Sequence, residues 1–150
     1  MNILLTMISS RRSGPTGPTA VLLELYMARS ARYAPCTLQV FPSEDKFLQF
    51  LANSAYRTRP TLLLADGRGQ QLTSEDLASL LGTAQDTGIQ HLILAIGPAD
   101  GWSAKALAVA TRTIAFGRIT LPHELAAVIA AEQIYRALTI RAGHPYHSGH

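Results

Sequence analysis

The sequence predicts an α/β domain, a mostly parallel sheet flanked by helices, on two observations. Short continuous apolar runs recur, NILLTMI from Asn2, TLLLA from Thr61 and QHLILAI from Gln90, and such runs mark strands buried on both faces. Longer stretches between them carry apolar residues three and four apart, the spacing of amphipathic helices. Strands alternating with helices build parallel sheets. The 150 residues suit one domain, spanning 1–150, with no repeat or interdomain linker.

The elements follow in order. Asn2 to Ile8 is the first strand, and a basic Gly/Pro-rich loop runs from Ser9 to Pro18. Ala20 to Arg32 predicts a helix, with Val21, Leu22, Leu25 and Met27 to Ala28 as its apolar stripe. Thr37 to Phe41 is a second strand, with Cys36 a small buried hydrophobe at its start. Ser43 caps a helix that reads to Arg57, with acids in its first turn where they suit the helix dipole. Phe47, Leu48, Leu51 and Ala55 form its apolar face.

Thr61 to Ala65 is the third strand, and the turn DGRG follows it. Thr73 or Ser74 caps a helix that stops near Gly88. Gln90 to Ile96 is the fourth strand, ended by GPADG; Ser103 to Thr113 is a short helix, and Ala115 and Phe116 a short strand. Thr120 caps the last helix, with Pro122 in its first turn, where a missing N–H costs nothing, and the helix runs to about Arg141.

Composition narrows the class. The chain is 47% hydrophobic and only 15% charged, enough apolar material for a core and too little charge for disorder. Sparse charge leaves apolar surface, which points to a subunit interface. A net charge of +3 permits an RNA partner without demanding one. The apolar start is short and its arginines follow it, unlike a signal peptide, and no 18-residue apolar stretch exists. The expectation is a cytoplasmic protein with no membrane segment. One cysteine and scattered histidines give no metal-ligand set.

Two loops at the carboxyl ends of buried strands, Asp66 to Gln71 and Gly97 to Trp102, lie where α/β sheets bind ligands. Gly97 and Gly101 allow close approach of backbone, or serve only as tight turns. No dinucleotide or Walker motif is present. Phe116 to His123 ends at a helix start, where free N–H groups and Arg118 suit an anion. Glu132 and Arg136 are spaced for an i, i+4 pair, by default a solvated one. The run LAAVIAA makes the last helix apolar over nearly two turns, so it needs cover on more than one side, and two-fold pairing between subunits would supply it. In the tail GHPYHSGH, His144, Tyr146 and His147 offer an aromatic to stack a base and imidazoles to handle a proton, or form a frayed end. Trp102 reads as core filler rather than a lid, and His91 as a polar strand position.

Thr120 to His147, TLPHELAAVIAAEQIYRALTIRAGHPYH, resembles the C-terminal signature of the large-subunit ribosomal RNA pseudouridine N3-methyltransferase family, of the SPOUT class. DGRGQQLTSEDLA from Asp66 matches that family's turn and helix cap, and LAIGPADGW from Leu94 its glycine loop. The resemblance implies a SPOUT-type α/β trefoil knot, a bent S-adenosyl-L-methionine cofactor and an obligate homodimer. It implies methylation of N3 of a pseudouridine in 23S rRNA of the assembled ribosome, with no DNA and no membrane partner. Carried over residue by residue, it assigns the cofactor to Ala65, Gly97, Phe116, Gly117, Arg118, Ile119, Thr120 and Leu121. Catalysis falls to His123, Glu132, Arg136, Tyr146 and His147, facing the substrate across the dimer. His147, or Glu132 through water, would take the N3 proton; Arg136 would steady the charge and Tyr146 position the base.

Departures are also present. Pro98 stands where the family usually has a second glycine, Ala65 where leucine is usual, Ala127 where arginine is common, and Gly117 and Ile119 alter the cofactor loop. They motivate the alternative of a weakened or non-catalytic RNA- or ribosome-binding protein of the same fold. A small-molecule α/β enzyme of another class is a third reading, in which the PYH tail has no use.

Overall fold

A computed structural model describes residues 1–11 and 13–148; Arg12 of the basic loop and His150 of the tail lie outside the described residues. Among the described residues five strands and five helices alternate: β1 (Asn2–Ile8), α1 (Pro18–Ser30), β2 (Cys36–Phe41), α2 (Glu44–Asn53), β3 (Thr61–Gln71), α3 (Ser74–Asp86), β4 (His91–Ile96), α4 (Ala104–Val109), β5 (Arg112–Ala115) and α5 (His123–Ala142). The sheet order is β2-β1-β4-β3-β5, and every pairing is parallel. The predicted fold class is the observed one.

The apolar strands are buried on both faces, as their continuous runs require. On one face Ile3, Leu5, Met7, Leu63, Leu92 and Leu94 pack under α1, α3 and α5. On the other, Ile8, Phe41, Leu62, Leu64 and Ile93 pack with Phe47 of α2, Ala106 of α4 and Trp102. Full burial of such a side chain is worth about 1.5–3 kcal/mol, so this double-sided core fixes the sheet that carries the loops. Trp102 is core, as its sequence context suggests, and only 3% exposed. His91 stacks on Tyr56 with ring centroids 4.1 Å apart.

Caps set the helix starts. Ser43 accepts from the Lys46 amide, Ser103 from that of Ala106, and Thr73 forms a reciprocal capping box with Asp76.

The structure corrects several boundaries and faces. In α1 the buried residues are Leu23, Met27 and Ser30; of the expected stripe only Met27 turns inward, whereas Val21, Leu22, Leu25 and Ala28 are exposed. VLLELYMA is apolar nearly all round, so periodicity does not choose its inner face. The second helix ends at Asn53, because Ser54 is already extended, and Ala55 is exposed beyond it. Cys36 is half-buried within β2 rather than fully covered. The DGRG turn lies inside β3: Ala65 and Gln70 both pair with Ile114, and the residues between them bulge outward. Helix α4 stops at Val109, and β5 takes Arg112 to Ala115. Pro122, not Thr120, occupies the cap position of α5, with no side-chain cap bond. Helix α5 packs beside α1 and α3, which bury Ala127, Ala130, Ala131 and Ala137 within one protomer. Leu125, the first residue of the same apolar run, remains 44% exposed.

Candidate active site

Strands β4, β3 and β5 are neighbours, so their C-terminal loops meet at one rim of the sheet. They enclose a cleft of about 480 Å³, within the usual size of small-molecule sites. Ala65, Gly97, Phe116, Gly117, Arg118, Ile119, Thr120 and Leu121 all line it, and so does His123 at the start of α5. A larger groove of about 700 Å³ lies between α2, α4 and the start of β3, lined by Leu48, Leu51 and Val109 among others, and it holds none of these residues.

Two residues that the sequence reading passed over hold the rim together. The Asp66 carboxylate accepts from the Arg68 amide at 3.0 Å and from its guanidinium through two bonds of 2.8 Å. It also accepts from the Trp102 amide at 3.2 Å, while Arg68 donates to the Trp102 carbonyl at 2.8 Å. The Trp102 indole N–H donates to the Ala65 carbonyl at 3.0 Å. The bulge within β3 and the loop after β4 are thus clamped to each other. The Arg68 guanidinium holds the Asp66 carboxyl well below the usual carboxylate range, with the two amides adding to it. At Gly97 a Cβ would sit 2.8 Å from the Trp102 ring, so only glycine permits this contact. Gly117, at φ 114°, adopts a conformation that suits glycine alone.

The second group forms around the middle of α5. The chain turns back at Gly143, which is left-handed with φ 71°. Tyr146 then lies edge-on to Tyr135, centroids 4.6 Å apart, and its hydroxyl donates to Glu132 Oε1 at 3.0 Å. Arg136 donates to the same oxygen from Nε at 3.0 Å and from a terminal nitrogen at 2.6 Å. Gln133 donates to Glu132 Oε2 at 2.6 Å and accepts from Ser74 at 2.6 Å. The other Arg136 terminal nitrogen lies 3.1 Å from His147 Nδ1, and His147 Nε2 lies 2.8 Å from Glu75 Oε1. The Glu132–Arg136 pair is therefore no solvated surface pair, its side chains being 17% and 25% exposed.

Comparison with known proteins gives these two groups a family. Residues 1–147 match the family described as predicted SPOUT methyltransferase. The chain belongs to the SPOUT methyltransferase family. Among curated relatives, it is 48% identical over 125 residues to a Koribacter versatilis protein named ribosomal RNA large subunit methyltransferase H, covering 83% of this chain and 85% of that one. It is 35% identical to a protein of the same name from Sinorhizobium medicae, covering 98% and 99% of the two chains. Among solved structures, a probable methylase family protein from Haemophilus influenzae superposes with a TM-score of 0.56 at 9% identity, covering 99% of this chain and 71% of that one; this likeness concerns the fold.

In this SPOUT methyltransferase, the sequence-nominated residues fall into two places. The cleft gathers every cofactor candidate together with His123. Glu132, Arg136, Tyr146 and His147 gather in the tail network. Glu132 is nine residues past His123, about 14 Å along the helix axis, so the tail network sits farther along α5 than the cleft lining at His123 and Ala126. His144 stays beside the network, accepting from the Tyr146 amide. Asp66, Arg68 and Glu75 were missed. Asp66 and Arg68 had a local signal, opposite charges two residues apart in a glycine turn; Glu75 had none.

Proposed function

We propose that this protein transfers a methyl group from S-adenosyl-L-methionine to N3 of a pseudouridine in 23S rRNA of the assembled ribosome, acting in the cytoplasm as a homodimer. The observation that carries this is the convergence of three strand-end loops on one cleft, with a separate ordered tail network on α5. The shared name of the two relatives supports the RNA substrate. Among the described residues, no helix is long and apolar enough to cross a membrane.

The cleft suits the cofactor. Gly117 leaves open space where a side chain would stand, Phe116, Ile119 and Leu121 offer apolar walls, and Asp66 and Thr120 add polar groups. Pro98 contributes no N–H, so donors must come from its neighbours. When bound, S-adenosyl-L-methionine supplies an electrophilic methyl on a sulfonium. The family's trefoil threading belongs to the same proposal, supported by the β4-β3-β5 order and the meeting of their loops.

In the proposed homodimer the tail of one subunit completes the cleft of the other, a reading supported by the gathering of the two groups at different places along α5. Exposed Val21, Leu22 and Leu25 on α1 and Leu125 on α5 supply apolar surface. They sit on adjacent helices whose first turns are tied by Thr19 donating to Glu124 at 3.3 Å.

The proton step follows from the wiring. The N3 proton lies between two carbonyls and is weakly acidic. A guanidinium only donates, so Arg136 occupies the Nδ1 lone pair of His147, leaving the ring proton on Nε2. His147 therefore becomes a base only when Arg136 leaves Nδ1. The freed guanidinium is then available to the negative charge growing on the pyrimidine. Glu132 orients Arg136, whose guanidinium lies over the Tyr146 ring, and Tyr146 positions the base.

The test is to map methylated pseudouridine in ribosomes from cells with and without the protein, and to repeat it with His147→Ala. Loss of one methylated site in both strains supports the reading. An unchanged methylation map in the deletion strain refutes it, and wild-type transfer by His147→Ala refutes the assignment of the base.

A further inference from the structure

We propose that Glu75 is a positioning residue for His147: with Arg136 it holds the imidazole as the Nε2–H tautomer and pins the end of the described chain against the first turn of α3. The proposal rests on the tail's part in the reaction proposed above.

The argument begins with cover. The His147 side chain is 13% exposed although it lies three residues from the chain's end. A covered imidazole needs partners for both nitrogens. One side is Arg136, a pure donor, 3.1 Å from Nδ1. The other is Glu75, whose ionised carboxylate is a pure acceptor, 2.8 Å from Nε2. A donor on one nitrogen and an acceptor on the other leave a single neutral tautomer that satisfies both.

Glu75 is free for this task because Asp76, its neighbour, closes the capping box with Thr73. Its place in the first turn of α3 favours the negative charge. The contact joins residues 72 apart in sequence, so it docks the tail onto another element rather than merely closing a local turn. If the Nδ1–H tautomer formed instead, a ring N–H would face the guanidinium and the carboxylate would face a lone pair. Both bonds would be lost together. The partner that orients a working imidazole sets which nitrogen carries the lone pair offered to a substrate.

The experiment uses the full chain labelled with ¹⁵N-histidine. Long-range ¹H–¹⁵N correlation at a pH where imidazoles are neutral reads which nitrogen of each ring is protonated, and His147 is assigned by its absence from His147→Ala. Wild type should show His147 protonated at Nε2. Glu75→Gln should keep that pattern, because an amide oxygen still accepts. Glu75→Ala should give tautomer averaging and shifted Tyr146 and His147 amides, with the amide spectrum of the core unchanged. Protonation at Nδ1 in wild type overturns the proposal, as does a wild-type ring pattern in Glu75→Ala.

Methyl transfer to ribosomes is the second readout. Glu75→Ala should lower kcat about 10–100-fold, the cost of removing a partner that orients a working imidazole, with unchanged affinity for S-adenosyl-L-methionine and recovery in Glu75→Gln. Wild-type kcat in Glu75→Ala, with the tautomer lost, overturns the positioning role. If wild type itself methylates no ribosome, the proposed function fails, and the ring spectra still decide whether Glu75 sets the tautomer.

Discussion

The Tyr146 hydroxyl donates to Oε1 of Glu132 across 3.0 Å, joining the tail to the middle of α5. Burial first, then the carboxylate beside it, push the phenol up to about 12. The folded value thus exceeds the ordinary one near 10, so the stabilisation is complete below about pH 10 and is lost as pH rises through about 12. Tyr146→Phe should cost about 1.5–3 kcal/mol at neutral pH, the worth of a hydrogen bond to a charged group. Denaturant melts of both proteins should converge between pH 10 and 12. A constant difference across that range contradicts the assignment.

Asp66 gives the opposite sign. Its carboxyl is held low by the Arg68 guanidinium, so the stabilisation is present above about pH 4, the unfolded value, and drains away as pH falls through the folded value. Asp66→Asn should lose about 1–3 kcal/mol at pH 7, since an amide cannot accept all the bonds the carboxylate takes. Thermal melts should show the two proteins drawing together below pH 4. Equal stability at pH 7 would mean that the clamp across the rim contributes nothing.

Gly97 tests the close approach at the rim. Gly97→Ala places a Cβ 2.8 Å from the Trp102 indole. Trp102 is the chain's one tryptophan, so its emission reports the displacement directly. The variant should show red-shifted fluorescence and at least about tenfold weaker cofactor binding by calorimetry, a loss of about 1.4 kcal/mol. Unaltered emission with wild-type affinity would show that the loop absorbs the methyl group elsewhere.

The two-place site predicts complementation between subunits. Gly97→Ala damages a cleft and His147→Ala a tail. Mixed and allowed to exchange subunits, two weak preparations should regain about a quarter of wild-type activity, because half the dimers are hybrids and each hybrid holds one intact composite site. No recovery, with subunit exchange verified by mass, places cleft and tail function within one chain.

Much of this architecture was legible because the relevant physics is local. Apolar runs placed β1, β4 and the first half of β3, and Ser43 and Thr73 announced their helices through caps. The cleft was legible as a rim, since loops at strand ends converge wherever the strands are neighbours. What sequence did not reveal depended on distant partners. Leu23 rather than Leu22 turns inward on α1 because α5 and the sheet select that face. The strand through Arg112 and Thr113 forms because β3 offers an edge, against a weak local preference. The pairing of Glu75 with His147 has no local signature, and periodicity does not show that α1 and α3 cover Ala127, Ala130 and Ala131 of α5 while Leu125 stays exposed.

The doubled pairing of Ile114, first with Ala65 and then with Gln70, has one more consequence. Because the ladder resumes after the excursion, residues there can be added or removed without sliding α3 along the sheet. The anchor is Gly69, where any Cβ would lie 2.6 Å from the backbone of Thr113 and Ile114. Chain-length variation at this wall should therefore be tolerated ahead of that glycine and punished at it, giving relatives a way to reshape one side of the cavity while the scaffold stays put.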